Sequence, residues 1–238
     1  MKRILSYLRR AIEDYHMIEE GDRIAVGVSG GKDSLTLLLA LKSLQRFYPK
    51  KFEPEAITLD MGLEGFDTSN IQKMCEELGV NYTVKQTGIG KIVFDIRKET
   101  NPCSLCAKLR RGALHNTALE LGCNKVALGH HKDDVIETFF LSLFFEGRIS
   151  CFSPVTYLDR KKITLIRPMI YMPEKFIRRE AEKLNLPVVF NPCPANGKTK
   201  RQYMKELIRN LDRENHGLKE RVFGAIQRSC IDGWKINQ

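Results

Sequence analysis

The sequence lacks any apolar run long enough to cross a membrane. Its most apolar stretch, residues 139–145, has seven residues and includes a serine, whereas a membrane-spanning helix needs about 20. No apolar block of signal-peptide length follows the basic N-terminus, so we expect no export. The sequence therefore predicts a cytoplasmic protein with no membrane partner.

The cysteines lack the even number that is typical of a small secreted disulfide protein. There are seven in 238 residues, and in the cytoplasm such thiols are expected to stay reduced. Low-complexity segments and useful internal repeats are absent as well, and a hydrophobic fraction of 42% excludes wholesale disorder. The thiols therefore raise the question of a metal site or of catalysis.

Short apolar strands alternate with helices along most of the chain. The predicted strands are 23–28, 56–59, 80–84, 125–128 and 163–166, and the helices between and after them are 34–47, 68–78, 105–121, 133–145 and 174–184. This alternation predicts an α/β fold, a parallel twisted sheet with helices on both faces. An amphipathic helix (3–18) and a basic helical tail (201–211, 218–231) flank it, which divides the chain into 1–20, 21–190 and 191–238.

A glycine-containing loop, Ser-Gly-Gly-Lys-Asp-Ser at residues 29–34, joins the first sheet strand to the first sheet helix. In open α/β sheets, ligands bind just beyond the carboxyl ends of strands. Here Gly30 and Gly31 would let backbone N–H groups face an anion, Lys32 would neutralise phosphate, and Asp33 suits Mg²⁺. The loop lacks the glycines of a Walker A or dinucleotide motif. A tight turn without a ligand is the remaining alternative.

Residues 129–134, Gly-His-His-Lys-Asp-Asp, begin the helix after the fourth strand and should lie beside this loop. The two carboxylates, Asp133 and Asp134, could simply cap the helix dipole. Alternatively, one of them takes part in metal or proton handling. His130 is a candidate for lining a nucleotide pocket, and His131 could equally be a packing residue.

Cys103 and Cys106 form a C-x-x-C at a helix start, where their pKa values should be lowered. This pair could form a redox site, a zinc site or an iron–sulfur site, or be two buried thiols. No second C-x-x-C is present to complete a zinc site. Cys193 has a similar setting, because Asn-Pro-Cys occurs at both 101–103 and 191–193. The other four are interpreted as ordinary buried thiols: Cys75, Cys123, Cys151 and Cys230.

The 29–34 loop after an apolar strand resembles the PP-loop of the ATP pyrophosphatase family. Together with Asn-Pro-Cys-Ser-Leu-Cys at 101–106, Leu-Arg-Arg-Gly at 109–112 and Ala-Leu-Gly-His-His-Lys-Asp-Asp at 127–134, it resembles the tRNA 2-thiocytidine synthetase group. This resemblance extends from about residue 17 to 234. It implies that ATP adenylates the C2 oxygen of an anticodon-loop cytidine, which sulfur then replaces.

The resemblance also implies cofactors and site residues. Three cysteines, Cys103, Cys106 and Cys193, would hold a [4Fe–4S] cluster with one iron free of protein ligands, although a three-cysteine zinc site is an alternative. Asp134 is the better catalytic candidate of the two aspartates, and Arg110, one turn past the C-x-x-C, would lie near the active centre. The implied catalytic residues are Lys32, Asp33, Arg110 and Asp134. The implied ATP-binding residues are Ser29, Gly30, Gly31, Lys32, Asp33, Ser34, Gly129 and His130, with Mg²⁺ as a cofactor.

Positive charge is in excess, with 39 Lys+Arg against 29 Asp+Glu and a net charge of +10. Basic residues cluster at 2–10, 160–179 and 198–209, each of which could be a solvated helix face. Together, on a nucleotide-activating fold, they favour contacts to the tRNA backbone. The predicted tRNA-binding residues are Lys198, Lys200, Arg201 and Lys205. The other expected partners are ATP and a sulfur donor (a cysteine desulfurase or sulfide), with a homodimer as a further expectation.

Three other functions fit parts of this pattern. A lysidine-forming enzyme would share the ATP chemistry, but amine attack needs no sulfur carrier, so the cysteine trio argues against it. A related enzyme could thiolate another base. A non-catalytic iron–sulfur sensor that binds RNA is disfavoured by the presence of Lys32, Asp33 and Asp134.

Overall fold

The computed structural model describes residues 1–97, 102–190, 192–194 and 199–234. The helices in these ranges are α1 (Lys2–Asp14), α2 (Lys32–Gln45), α3 (Ser69–Leu78), α4 (Pro102–Glu120), α5 (Lys132–Glu146), α6 (Glu174–Lys183), α7 (Lys200–Glu214) and α8 (Leu218–Ser229). The strands are β1 (Asp22–Gly27), β2 (Phe52–Asp60), β3 (Tyr82–Gln86), β4 (Lys125–Ala127), β5 (Val155–Leu158) and β6 (Ile163–Ile166). A π-helical segment, Lys91–Arg97, precedes α4, and a short 3₁₀ turn, Ile231–Gly233, follows α8.

The strands form one sheet in the order β3-β2-β1-β4-β6-β5. Every neighbouring pair is parallel except β5–β6. The chain moves outward from β1 to β3 and then returns to the other side of β1 with β4. Ligands of such sheets bind at this reversal, beyond the carboxyl ends of the strands. The α/β fold with flanking helices is therefore confirmed.

One edge of the sheet carries an antiparallel strand that was not predicted. Residues 155–158 form β5, which pairs antiparallel with β6 through a tight turn at 159–162. In that turn Lys162 has a φ of +51° and its N–H donates to the Leu158 C=O. A hairpin with strands of only four residues gives little periodic signal, because a period-2 pattern needs more positions to stand out.

The N-terminal helix ends at Asp14, four residues before the predicted end at 18. His16 takes a φ of +49°, and the Met17 N–H donates to the Ile12 C=O at 3.0 Å. The chain therefore turns sharply, and Ile18 reaches the core after leaving the helix rather than by extending it. Apolar spacing alone could not distinguish these two routes to burial.

The terminal helices pack into the main core rather than standing apart from it. Fully or nearly fully buried side chains of α1, α2, α7 and α8 belong to one apolar cluster: Ile4, Leu8, Leu38, Leu41, Met204, Ile208, Phe223 and Ile226. The three-part division of the chain into 1–20, 21–190 and 191–238 stays a prediction. In the described ranges, no helix has the length and apolar character needed to span a bilayer.

Candidate active site

The 29–34 loop follows β1 directly and leads into α2. Gly30 has a φ of +78°, and its C=O accepts a hydrogen bond from the Val189 N–H at 2.9 Å. A Cβ added at Gly30 would lie 2.9 Å from the Val189 Cβ. Both the backbone conformation and the close approach therefore require glycine at this position.

Two serines fix the shape of this loop. The Ser34 hydroxyl accepts from the Ser29 N–H at 3.1 Å and donates to the Gly31 C=O at 2.9 Å. The Leu35 N–H also donates to the Gly31 C=O, which begins α2. The loop is thus already folded as a compact turn at the N-terminus of a buried helix, which is the arrangement that backbone anion sites use.

The turn after β4 lies against this loop, as the sequence analysis predicts. A Cβ on Gly129 would come within 3.1–3.2 Å of backbone atoms of Asp33 and Ser34. Because backbone atoms cannot move aside as a side-chain tip can, glycine at 129 permits this contact. Residues 129–134 therefore line the same site as residues 29–34.

The two aspartates at the start of α5 point in different directions. Asp134 accepts from the His131 N–H at 2.9 Å and from Arg201 Nη1 at 3.0 Å, and it lines a cavity. Asp133 accepts from the Glu174 N–H and from Lys219 Nζ, both at 2.7 Å. Burial opposes ionisation of Asp133, but these two donors outweigh it and lower its pKa. Asp133 therefore links α5 to α6 and α8, whereas Asp134 both caps α5 and faces the site.

A main cavity of about 520 Å³ opens at the carboxyl ends of the central strands, within the ~300–1,000 Å³ typical of ligand pockets. Its polar lining includes Ser29, Asp33, Asp134 and Arg110. Its apolar lining consists of Ile57, Leu59, Met61, Leu63, Phe66, Leu114, Leu128 and Val189. Such a cavity offers contacts both to a flat apolar base and to phosphates.

His130 also lines the main cavity, and its ring packs on Phe152 with centroids 4.8 Å apart. Burial lowers the pKa of His130 to about 4. The imidazole is therefore neutral at physiological pH. Its Nδ1 is buried and has no hydrogen-bond partner among the described residues.

A second cavity, of about 310 Å³, shares Asp33, Asp134 and Arg201 with the main one. Lys32 lines it and pairs with Asp33 Oδ2 at 2.9 Å and with Glu174 Oε1 at 3.2 Å. Burial disfavours the charged amine, yet Asp33 and Glu174 together raise the pKa of Lys32. Lys32 is therefore held charged at this cavity.

The four predicted tRNA-binding residues have different positions. Lys198 lies outside the described residues, and Lys200 is exposed with its Nζ over the Phe145 ring at 4.7 Å. Arg201 and Lys205 instead face site carboxylates, with Lys205 Nζ 2.6 Å from Glu174 Oε2. These last two cations lie at the second cavity rather than on an outer helix face.

Two buried glutamates at the second cavity were not predicted. Glu137 lies one turn after Asp134 on α5, and Glu174 begins α6 after Pro173. Burial raises the pKa of Glu137 to about 7, and the nearby Asp134 adds to the rise. Burial also opposes ionisation of Glu174, but Lys205 and Lys32 lower its pKa to about 2. The spacing of three between Asp134 and Glu137 was the one available sequence signal.

Glu137→Gln is expected to stabilise the protein at pH 8. The folded-state pKa of Glu137 is raised from 4.5 to about 7, so the unfolded chain releases this proton first and stability falls as pH rises through that window. Replacing the titrating carboxyl group should raise the free energy of unfolding by about 1–3 kcal/mol at pH 8 and change it little at pH 4.5. Urea unfolding at both pH values measures this. A loss of stability at pH 8 would show that the ionised carboxylate is stabilised, against this account.

The three predicted cluster cysteines are partly brought together. Cys106 and Cys193 line the main cavity, and Cys106 Sγ lies 3.9 Å from Met61 Sδ. Cys103, one turn earlier on α4, is exposed and is not part of the cavity lining. In the described ranges no three Cys, His, Asp or Glu side chains are arranged as a metal-binding group. The donor chemistry nevertheless fits iron, since two thiols line one cavity and the third lies one helical turn from Cys106.

Two expectations about the cysteines were wrong. The C-x-x-C position does not lower the pKa of Cys106; burial raises it and outweighs the opposing effect of Arg110. Cys230 is exposed, whereas Cys75, Cys123 and Cys151 are buried as predicted. Asn101 and Asn191, which made the two Asn-Pro-Cys segments alike, lie outside the described residues.

Comparison with known proteins agrees with this geometry. Residues 3–211 match the PP-loop domain family. A protein of Geobacter metallireducens named tRNA-cytidine(32) 2-sulfurtransferase is 42% identical over 94% of this chain and 89% of its own length. A protein of the same name from Teredinibacter turnerae is 40% identical over 95% of this chain and 76% of its own length. The U34-tRNA thiolase NcsA from Methanococcus maripaludis, solved with its [4Fe–4S] cluster, superposes with a TM-score of 0.75 at 27% identity, over 94% of this chain and 77% of that chain.

Proposed function

The chain belongs to the PP-loop domain family and to its tRNA-cytidine(32) 2-sulfurtransferase group, a group of sulfurtransferase enzymes, and we propose that it replaces the C2 oxygen of an anticodon-loop cytidine with sulfur at the expense of ATP. One observation carries the proposal. The PP-loop and two of the three candidate cluster thiols line the same cavity. A base bound there can reach both an ATP phosphate and a sulfur source.

The proposed reaction has two steps. The C2 carbonyl oxygen of cytidine attacks the α-phosphorus of ATP, and pyrophosphate leaves. A sulfur nucleophile then attacks C2, and AMP leaves with the former carbonyl oxygen, which gives 2-thiocytidine. Adenylation is needed because an amide-type oxygen is a poor leaving group, whereas AMP is a good one.

The polar residues that line the two cavities bind and orient ATP in this proposal. The N–H groups of the 29–34 loop, the two serine hydroxyls and Lys32 contact the phosphates, while Gly129 keeps the neighbouring turn close. Asp33 and Asp134 are the carboxylates that would hold Mg²⁺, since both line both cavities. Arg110 reaches the same cavity from α4 and would neutralise charge on the adenylated base. His130 stays neutral and lines the nucleotide pocket.

The three candidate cluster cysteines supply the sulfur chemistry in this proposal. Cys103, Cys106 and Cys193 would hold a [4Fe–4S] cluster, a proposal that the cluster in the NcsA structure supports. When bound, such a cluster supplies an iron without a protein ligand that can carry sulfur taken from sulfide or a cysteine desulfurase. The apolar residues around Cys106 keep water from the activated base, which water would otherwise return to cytidine.

The tRNA would be held mainly through its backbone. Lys200 is exposed beside the exposed Phe145, and the basic clusters of α1 and the 160–162 turn offer further phosphate contacts. An anticodon-loop base is already unpaired, so moving it into the cavity costs less than it would in a duplex. We therefore expect affinity to fall steeply with salt.

Replacing any of the three candidate ligands tests whether they hold an iron–sulfur cluster. Cys103→Ser, Cys106→Ser and Cys193→Ser should each lower iron content and abolish 2-thiocytidine formation, because hydroxyls are poor ligands for iron–sulfur clusters. The matched control is Cys230→Ser, since Cys230 is exposed and does not line the main cavity. Iron analysis and tRNA nucleoside mass spectrometry, both after anaerobic purification, give the readout. One zinc and no iron, or full thiolation by all three variants, would overturn the cluster assignment.

A further inference from the structure

The second cavity brings together three cations from distant parts of the sequence. Lys32 comes from the start of α2, and Arg201 and Lys205 come from the first turns of α7. Their side chains are 23%, 45% and 39% exposed respectively, so an anion in the cavity can reach all three. The PP-loop motif accounts only for the first of these residues.

Carboxylates hold these cations where phosphate oxygens would fit. The two oxygens of Glu174 accept from Lys32 and Lys205, at 3.2 and 2.6 Å. Arg201 Nη1 lies 3.0 Å from Asp134 Oδ1 and 3.8 Å from Glu137 Oε2. A phosphate group offers the same lone pairs with more negative charge, so it can displace a carboxylate from a cationic partner.

Glu174 is held in place by its neighbours, so it can position Lys32 and Lys205. Its own N–H donates to Asp133 Oδ2, and Asp133 Oδ1 in turn accepts from Lys219. Because the carboxylate is anchored at both its backbone and its oxygens, the two lysines stay within reach of one shared anion. Four helices contribute first-turn or cap residues to the cavity (Lys32, His131, Glu174 and Thr199), and their N-terminal dipoles favour an anion there. Four carboxylates also line the cavity, so a bound phosphate would need Mg²⁺ as well as the three cations: Asp33, Asp134, Glu137 and Glu174.

We propose that Arg201 and Lys205 of α7 are further contacts to the β- and γ-phosphates of ATP, and afterwards to the pyrophosphate product, at the second cavity beside Lys32. The proposal rests on the proposed function, since pyrophosphate forms only if ATP is cleaved between its α and β phosphates. The shared residues Asp33, Asp134 and Arg201 join the two cavities. A triphosphate can therefore extend from the main cavity into the second one. On this proposal, Arg201 and Lys205 contact the nucleotide and not the tRNA backbone.

Direct binding of inorganic pyrophosphate with Mg²⁺ tests the assignment. By titration calorimetry, Arg201→Gln and Lys205→Gln should each weaken pyrophosphate binding about tenfold, as expected for loss of one charge-assisted contact. Lys205→Arg keeps the charge and should retain binding. Arg209→Gln, an exposed change on the same helix, should leave pyrophosphate binding unchanged. The tRNA affinity of both Gln variants, and its salt dependence, should match the unaltered protein.

Two results would overturn the assignment. If the Gln variants bound tRNA more weakly with a shallower salt dependence and bound pyrophosphate normally, the two cations would be RNA backbone contacts. If neither ligand were affected, the ion pairs would serve only to dock α7. The proposed function fails separately, by an absence of tRNA thiolation in the unaltered protein, which these binding measurements do not decide.

Discussion

Lys32→Ala is expected to lower ATP-dependent AMP formation by about 10³-fold, as removal of a charge-stabilising donor typically does. Lys32 is the cation of the PP-loop, and Asp33 and Glu174 hold it at the second cavity. In the proposed reaction it neutralises charge that builds up on the departing pyrophosphate. Its loss should therefore act on turnover more strongly than on ATP affinity. Product analysis with labelled ATP measures the rate.

The matched control for this change is Lys42→Ala on the same helix. Lys42 lies near the other end of α2, where its Nζ donates to the Gly79 C=O at 3.1 Å. This variant should keep its AMP formation, and both proteins should show the same circular dichroism as the unaltered chain. Turnover by Lys32→Ala within tenfold of normal would contradict the assigned role of the loop.

The largest effect on stability is expected at Trp234, the single tryptophan of the chain. Its side chain is fully buried, with edge-on ring contacts to Phe223 at 5.5 Å and Tyr15 at 6.1 Å. Its Nε1 donates to the Phe152 C=O at 3.0 Å. Trp234→Ala should therefore lower the free energy of unfolding by about 3–5 kcal/mol. Urea denaturation followed by circular dichroism measures the loss.

A second variant separates packing from hydrogen bonding at this position. Trp234→Phe keeps an aromatic ring but loses the hydrogen bond to the Phe152 C=O, so it should lower the free energy of unfolding by about 1–3 kcal/mol. Because Phe152 packs on His130, both changes should also weaken ATP binding in proportion to the loss of packing. A loss below about 1 kcal/mol for Trp234→Ala would show that the C-terminal segment contributes little to the core.

The parts of the site that lie within one short segment could be predicted from sequence. Residues 29–34 and 129–134 each combine a strand end, a glycine and polar side chains in six consecutive positions. Their meeting followed from the rule for parallel sheets, and Gly129 permits it by lacking a side chain. The fold class was predictable for the same reason, since the alternation of strands and helices is local.

Contacts between distant residues explain most of what sequence reasoning missed. The ion pairs of Arg201 with Asp134 and of Lys205 with Glu174 could not be predicted, because these carboxylates are far away in the sequence. The raised pKa of Cys106 likewise reflects burial, which the C-x-x-C spacing does not encode. The hairpin edge of the sheet, β5, was missed because four residues carry too little pattern.

The central claim is that one site couples cleavage of ATP to replacement of the cytidine C2 oxygen. It is tested most directly by following that oxygen in a single anaerobic turnover. A tRNA transcript labelled with ¹⁸O at C2 of cytidine would be incubated with the iron-loaded protein, ATP, Mg²⁺ and sulfide, and the nucleotide product analysed by mass spectrometry. The account predicts one ¹⁸O-labelled AMP for each 2-thiocytidine formed, with pyrophosphate as the other product. Unlabelled AMP, or ADP and phosphate, would contradict it.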